Sequence, residues 1–155
     1  MGRIQGLKYK LLDRDMFPKF VMAYKTFYND TEKKEPDETF IQNWLVFTMT
    51  NMVNPDCLYL LAVTGKKIIG FLVMVTMPSL DGIKSVLADP LYILPEYRAQ
   101  SDAAVKLNDI GKSWAKQKGY KKIYTFENED DKTWSRKTHL MGFKIYKKIL
   151  LMDIQ

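Results

Sequence analysis

The sequence predicts a mixed α/β layer: a single layer of sheet flanked by helices, antiparallel in its first half and crossing over in its second. Three observations carry that expectation. Apolar residues recur at helical spacing in two early segments and one late one. Short runs rich in Leu, Ile and Val, of strand length, lie between and after them. Turn residues mark the boundaries, above all Asn54-Pro55-Asp56 and Thr64-Gly65-Lys66-Lys67. The expected order is β, α, α, β, β, β, α, β, α, β, in one domain covering residues 1–155.

Leu7–Leu12 reads as the first strand, and Asp13 as a cap for the helix after it. Phe17, Phe20, Val21, Tyr24, Phe27 and Tyr28 form the stripe of that helix. A second helix carries Phe40, Ile41, Trp44, Leu45, Met49, Met52 and Val53, and Asn54-Pro55-Asp56 stops it. Leu58–Val63 and Ile68–Met77 form a hairpin across the tight turn at Gly65. Val86–Leu94 is the next strand. A helix then runs from about Ser101 to Lys118, burying Ala103, Leu107, Ile110, Trp114 and Ala115, with Gly119 as its stop. Lys121–Phe126 is a strand, Asp131–Met141 a short helix, and Phe143–Asp153 the last strand or strand pair.

The chain has 155 residues, of which 46% are hydrophobic. That is one domain with a core large enough to need no cross-link. Cys57 is the only cysteine, so no intrachain disulfide forms, as expected in a reducing compartment. The N-terminus has no apolar run of signal-peptide length, and no stretch approaches the roughly 18–20 apolar residues of a membrane span. A cytoplasmic protein without membrane contact is expected.

The net charge is +6, and it is unevenly placed: residues 106–148 carry 12 Lys/Arg against 5 Asp/Glu. Such a half either attracts an anionic partner or forms a solvated lysine face. Nucleic acid is the weaker candidate, because no nucleic-acid-binding motif is present. One Cys and one His do not make a usual zinc site, and no metal is expected. The acidic run Glu127–Asp131 lacks the spacing of a calcium-binding loop and reads as solvated. His139 reads as a surface or packing residue.

The segment Leu91-Tyr92-Ile93-Leu94-Pro95-Glu96-Tyr97-Arg98, the helix after it, Lys118-Gly119-Tyr120 and Leu140-Met141-Gly142-Phe143 carry a resemblance. Together with the two early helices, they make the chain resemble the GNAT N-acetyltransferase superfamily over nearly its whole length. The resemblance implies an acetyl-CoA loop of pattern Gln/Arg-x-x-Gly-x-Gly/Ala, which here reads Arg98-Ala99-Gln100-Ser101-Asp102-Ala103. Such a loop offers backbone N–H groups and a helix N-terminus to a pyrophosphate. Ser101 stands where glycine is expected, and Asp102 brings a negative charge beside the pyrophosphate. Both also read as caps of the helix. The backbone of Ile93 and Leu94 is implied to hold the pantetheine arm.

In that family a carboxylate on the fourth strand often serves as general base. Leu87 occupies the commonest position, and Asp89 lies two residues on, hence on the same strand face. Asp89 is the best substitute; a turn-forming Asp before Pro90 is the alternative. Asp131 falls where an Asn usually meets the cofactor, and Thr138 where a Tyr usually protonates the leaving thiolate. The implied activity is acetyl transfer from acetyl-CoA to a primary amine. The alternative is a catalytically inactive member with protein partners in an assembly, such as a bacteriophage virion component.

Overall fold

A computed structural model describes residues 4–78, 81–99, 102–126, 136, 138–145, 152 and 154. The chain packs as two compact units, Met1–Thr125 and Phe126–Gln155.

The first unit holds β1 (Leu7–Leu11), α1 (Phe17–Glu32), α2 (Glu38–Asn51), β2 (Leu58–Thr64), β3 (Lys67–Met77), β4 (Ser85–Ile93), α3 (Ala103–Gln117) and β5 (Lys122–Tyr124). A 3₁₀ turn at Pro95–Tyr97 links β4 to the segment before α3. The five strands form one sheet in the order β1-β2-β3-β4-β5. The first four pair antiparallel, and β5 lies parallel to β4. This is the expected mixed layer.

Local chemistry sets the boundaries. The helix α1 begins four residues beyond Asp13; its N-cap is Met16 rather than the expected Asp13, whose Oδ1 instead accepts from the Met16 N–H at 2.9 Å. The cap of α2 is Asp37, whose Oδ1 accepts from the Phe40 N–H at 2.7 Å. The β2–β3 turn needs Gly65 at φ +59°, a left-handed conformation that costs glycine little.

The sheet is covered on both faces, which explains why β2 and β3 read as continuous apolar runs. Leu58, Leu60, Ala62, Ile69, Leu72 and Met74 face α3. On the other side Tyr59, Leu61, Val63, Ile68, Phe71 and Val73 join Phe20 of α1 and Trp44 of α2. Gly111 lets α3 lie close to the sheet: a Cβ there would sit 2.6 Å from Leu72 Cδ2 and 2.8 Å from Met74 Sδ.

Two expected burials differ. Ile110 and Trp114 of α3 are half-buried, while Asn108 and Gly111 are buried in their place. On α2 the core-facing residue between Trp44 and Met52 is Thr48, and Met49 and Val53 are exposed. A helix turns about 100° per residue, so a stripe through both Trp44 and Met49 spans too wide an arc to bury.

The second unit shows a short helix at 138–140, within the segment expected to be helical. The Phe143 N–H closes it on the Thr138 carbonyl at 3.0 Å. Residues 143–145 are not strand, and most of the expected final strand lies outside the described residues.

Candidate active site

The site is built around an irregularity in β4. Ala88 pairs with Met74 of β3, and Leu91 with Leu72. A single residue, Val73, therefore faces two, Asp89 and Pro90. Such a bulge bends its strand and re-aims the side chains around it. Residues Leu91 and Ile93 stay on the α3 face, while Tyr92 packs against α1.

At the same level β4 parts from β5. Their parallel pairing ends at Leu87 opposite Tyr124, and Thr125 Oγ1 adds one last link to the Ala88 carbonyl at 2.8 Å. Beyond it the Asp89–Ile93 stretch has no β5 partner among the described residues. The Leu94 N–H donates to the Ile69 carbonyl of β3 at 2.8 Å. Antiparallel ladders alternate, so the backbone groups of Leu91 and Ile93 point to the opposite, open edge.

Asp89 lies at the apex of this opening. Its carboxyl is half-buried, and no hydrogen-bond or ion-pair partner is found for it among the described residues. Burial pushes its pKa up to about 6. Its charge is felt by the Tyr24 phenol, which burial first and Asp89 second push up to about 12. Asp89 thus faces the α1–α2 side, as the two-residue offset from Leu87 predicts.

That side is walled by aromatic rings. Tyr24 stacks on Trp44 at 4.1 Å between centroids. Phe20 meets Phe71 edge-on at 5.2 Å, and Phe27 meets Tyr92 at the same distance. Two hydroxyls, Tyr59 OH and Thr48 Oγ1, are buried together in this layer. The Tyr59 phenol is pushed up to about 12, by burial first and by the neighbouring Cys57 next, while the Thr48 hydroxyl opposes.

Arg98 ties the loop after β4 back to α1. Its Nε donates to the Ile93 carbonyl at 2.8 Å, and its Nη2 to Asp30 Oδ2 at 3.0 Å. The guanidinium lies 5.2 Å from the Tyr92 ring centroid, and the Tyr92 hydroxyl donates to the same Asp30 oxygen at 3.2 Å. Burial pushes the Asp30 carboxyl up, but Arg98, Tyr92 and Lys33 bring it below its ordinary value.

This architecture has many counterparts among solved structures. The aminoglycoside 6'-N-acetyltransferase AAC(6')-Ih from Acinetobacter baumannii superposes with a TM-score of 0.76 over 97% of this chain and 99% of that one, at 16% identity. AAC(6')-Iy, solved with the bisubstrate analogue CoA-S-monomethyl-acetylneamine, gives 0.75 at 16% identity over 96% and 98%. A transcriptional regulator from Bacillus halodurans C-125 gives 0.79 at 15% identity over 96% and 99%. The chain has the GNAT fold. No protein-family model and no curated protein matches the sequence.

Against the GNAT frame, the residues singled out by sequence fall in different places. Asp89 sits at the bulge. Ile93 lies on the open edge, but its carbonyl is occupied by Arg98. Leu94 differs from expectation, because its N–H belongs to the β3 ladder. The residue that shares the open edge with Ile93 is Leu91, which sequence reasoning missed although alternation along the strand puts residues two apart on one edge. Arg98 was expected at a pyrophosphate and instead points to α1. Ala99 is exposed, and Ala103 is buried in the first turn of α3.

Asp102 occupies the N-cap of α3 but makes no side-chain capping bond, in contrast to the capping role read from sequence. Its exposed carboxylate instead acts on Tyr9, whose phenol is raised by burial first and by Asp102 second. Gln100, Ser101 and Asp131 lie outside the described residues. Thr138 belongs to the second unit and is helical there, beside the exposed His139.

Among the described residues no three His, Cys, Asp or Glu side chains gather to hold a metal ion, and no helix is long and apolar enough to cross a membrane.

Proposed function

We propose that the protein is an acetyl-CoA-dependent N-acetyltransferase acting on a primary amine. One observation carries the reading: a half-buried carboxyl without a partner among the described residues, Asp89, stands where β4 bulges and parts from β5.

The described residues suit the arm of an acyl-CoA. Leu91 and Ile93 direct backbone groups to the open β4 edge, where a pantetheine amide can pair as a strand would. One feature opposes the pyrophosphate: the Asp102 carboxylate at the start of α3. Bound acetyl-CoA supplies an acetyl thioester, so R–NH₃⁺ becomes R–NH–CO–CH₃, free CoA thiol forms and one proton is released.

The protein's own part is binding, orientation and that proton. Asp89 is mostly ionised near neutral pH and draws an ammonium group to the apex of the opening. Its raised pKa makes it a stronger base than an ordinary carboxylate, so it takes the proton that blocks the amine lone pair. The rings of Tyr24 and Trp44 keep the site poor in water, and positioning supplies the rest.

The test is calorimetric titration with acetyl-CoA. Binding in the submillimolar range supports the proposal. Silence at millimolar cofactor contradicts it and favours the inactive scaffold with protein partners.

A further inference from the structure

The helix α2 is apolar on its outer side as well as its inner one. Trp44, Thr48 and Met52 face the core. Val46 and Met49 face outward, 68% and 59% exposed, and Val53 follows in the turn after the helix, 77% exposed. Phe47, half-exposed, borders them. The polar groups of this side turn back onto the helix. Thr50 Oγ1 donates to the Val46 carbonyl at 2.8 Å, and Asn51 Nδ2 donates to the Phe47 carbonyl at 2.9 Å. Residues 39–55 hold no Asp, Glu, Lys, Arg or His, in a chain of which 27% is charged. A surface helix ordinarily turns charged residues to water, and one that is apolar all round is covered. Four large apolar side chains in one exposed patch mark a contact surface, where scattered ones would not.

Charge selects what covers it. The chain carries a net +6. Exposed lysines stand on other elements, among them Lys8 on β1, Lys19 on α1, and Lys112 and Lys116 on α3. Two copies repel when such faces meet, and the outer side of α2 lets them approach with no like charges opposed. The nearest acids, Glu38 and Asp56, stand at its two ends, where the rim of an interface stays wet. A helix that lies on lipid carries Lys or Arg beside its apolar stripe. A face that takes an acidic partner carries them within it. The α2 segment has none. Two copies of the patch remove on the order of 1,000 Å² from water, the lower end of what a specific interface buries.

We infer that the protein forms a twofold dimer in which α2 of one copy packs against α2 of another. The contact is isologous, so the same patch serves both sides. Met49, between Val46 and Val53, lies nearest the axis. The dimer does not depend on the acetyltransferase reading.

The test is sedimentation velocity of the full chain at physiological ionic strength, from about 1 to about 300 µM. Expected is a monomer–dimer equilibrium with a dissociation constant in the micromolar range. Val46→Asp and Val53→Lys, both at exposed positions, are expected to weaken the dimer at least tenfold while circular dichroism and melting temperature stay unchanged. In a Cys57→Ser background, Met49→Cys is expected to form an interchain disulfide on mild oxidation. Lys112→Cys, on the opposite face of the sheet, is expected to form none. A monomer at the highest concentration overturns the inference, as does a dimer that both substitutions leave intact. A monomer that binds phosphatidylcholine vesicles, and loses them in Val46→Asp, assigns the face to lipid and overturns it equally.

Discussion

Arg98 Nη2 lies 3.0 Å from Asp30 Oδ2, joining the loop after β4 to the far end of α1. The contact fixes α1 against the strand end that borders the open edge, and it turns the guanidinium toward Tyr92. Both side chains are partly exposed, at 42% and 35%, so the pair is worth about 1 kcal/mol or less. Asp30 is held below its ordinary pKa, which sets the sign of the pH dependence. The stabilisation is present above the unfolded value near pH 4 and is lost as pH falls through the folded value. Urea unfolding of wild type and Arg98→Ala is expected to differ at neutral pH and to converge in strong acid. A gap that persists undiminished in acid assigns the Arg98 contribution to packing instead.

Asp89 has the opposite sign. Its carboxyl is raised to about 6, so ionisation costs the folded state more than the unfolded one. Stability from this group is greatest below about pH 4 and declines as pH rises through about 6. Asp89→Asn removes that decline, with a gain at neutral pH of up to about 3 kcal/mol, the equivalent of about two pKa units. Stability–pH curves of wild type and variant that run parallel between these limits contradict the assignment. The same variant is expected to lose at least tenfold in kcat/KM, about 1.4 kcal/mol, so stability and activity move in opposite directions.

Asp102 places a carboxylate at the N-terminus of α3 without a capping bond. Beside a pyrophosphate, at an exposed separation of about 4–6 Å, each charge pair costs on the order of 1 kcal/mol. Asp102→Asn is therefore expected to tighten acetyl-CoA binding about fivefold at low salt, and less at high salt. Affinity indifferent to this substitution at every ionic strength places the pyrophosphate elsewhere.

Gly70 allows β3 and β4 to approach at the end of the sheet. A Cβ there would clash with Ile93 Cδ1 and would sit 2.7 Å from the Tyr92 carbonyl, which belongs to the backbone and cannot swing aside. Gly70→Ala is expected to cost about 1–3 kcal/mol in denaturant unfolding. Since Ile93 borders the open edge, acetyl-CoA affinity is expected to fall as well. A variant as stable as wild type contradicts the packing described for this corner.

The fold was legible because its signals are redundant. The stripe Phe17, Phe20, Tyr24 and Phe27 has helical period, and β2 and β3 are too apolar to face water on either side. The site was legible only in part. Period two places Asp89 on the face of Leu87, and that holds because the bulge begins after Ala88. It fails for the pair Ile93 and Leu94, because adjacent strand residues point their backbone groups to opposite edges, which leaves Leu91, rather than Leu94, beside Ile93 at the open edge. Arg98 could not be placed from its motif. Its direction depends on Asp30, 68 residues earlier, a contact that no local pattern encodes.

The central claim, an amine acetyltransferase with Asp89 as its base, is tested most directly by thiol release from acetyl-CoA. Wild-type protein is incubated with acetyl-CoA and a panel of primary amines while free CoA thiol is followed, with the acetylated amine checked by mass spectrometry. The account predicts amine-dependent thiol release with matching N-acetyl product. It further predicts a rate that rises with pH through about 6 as Asp89 ionises and falls at least tenfold in Asp89→Asn. Thiol release that neither amine nor Asp89→Asn alters, or none above the protein-free rate, contradicts it.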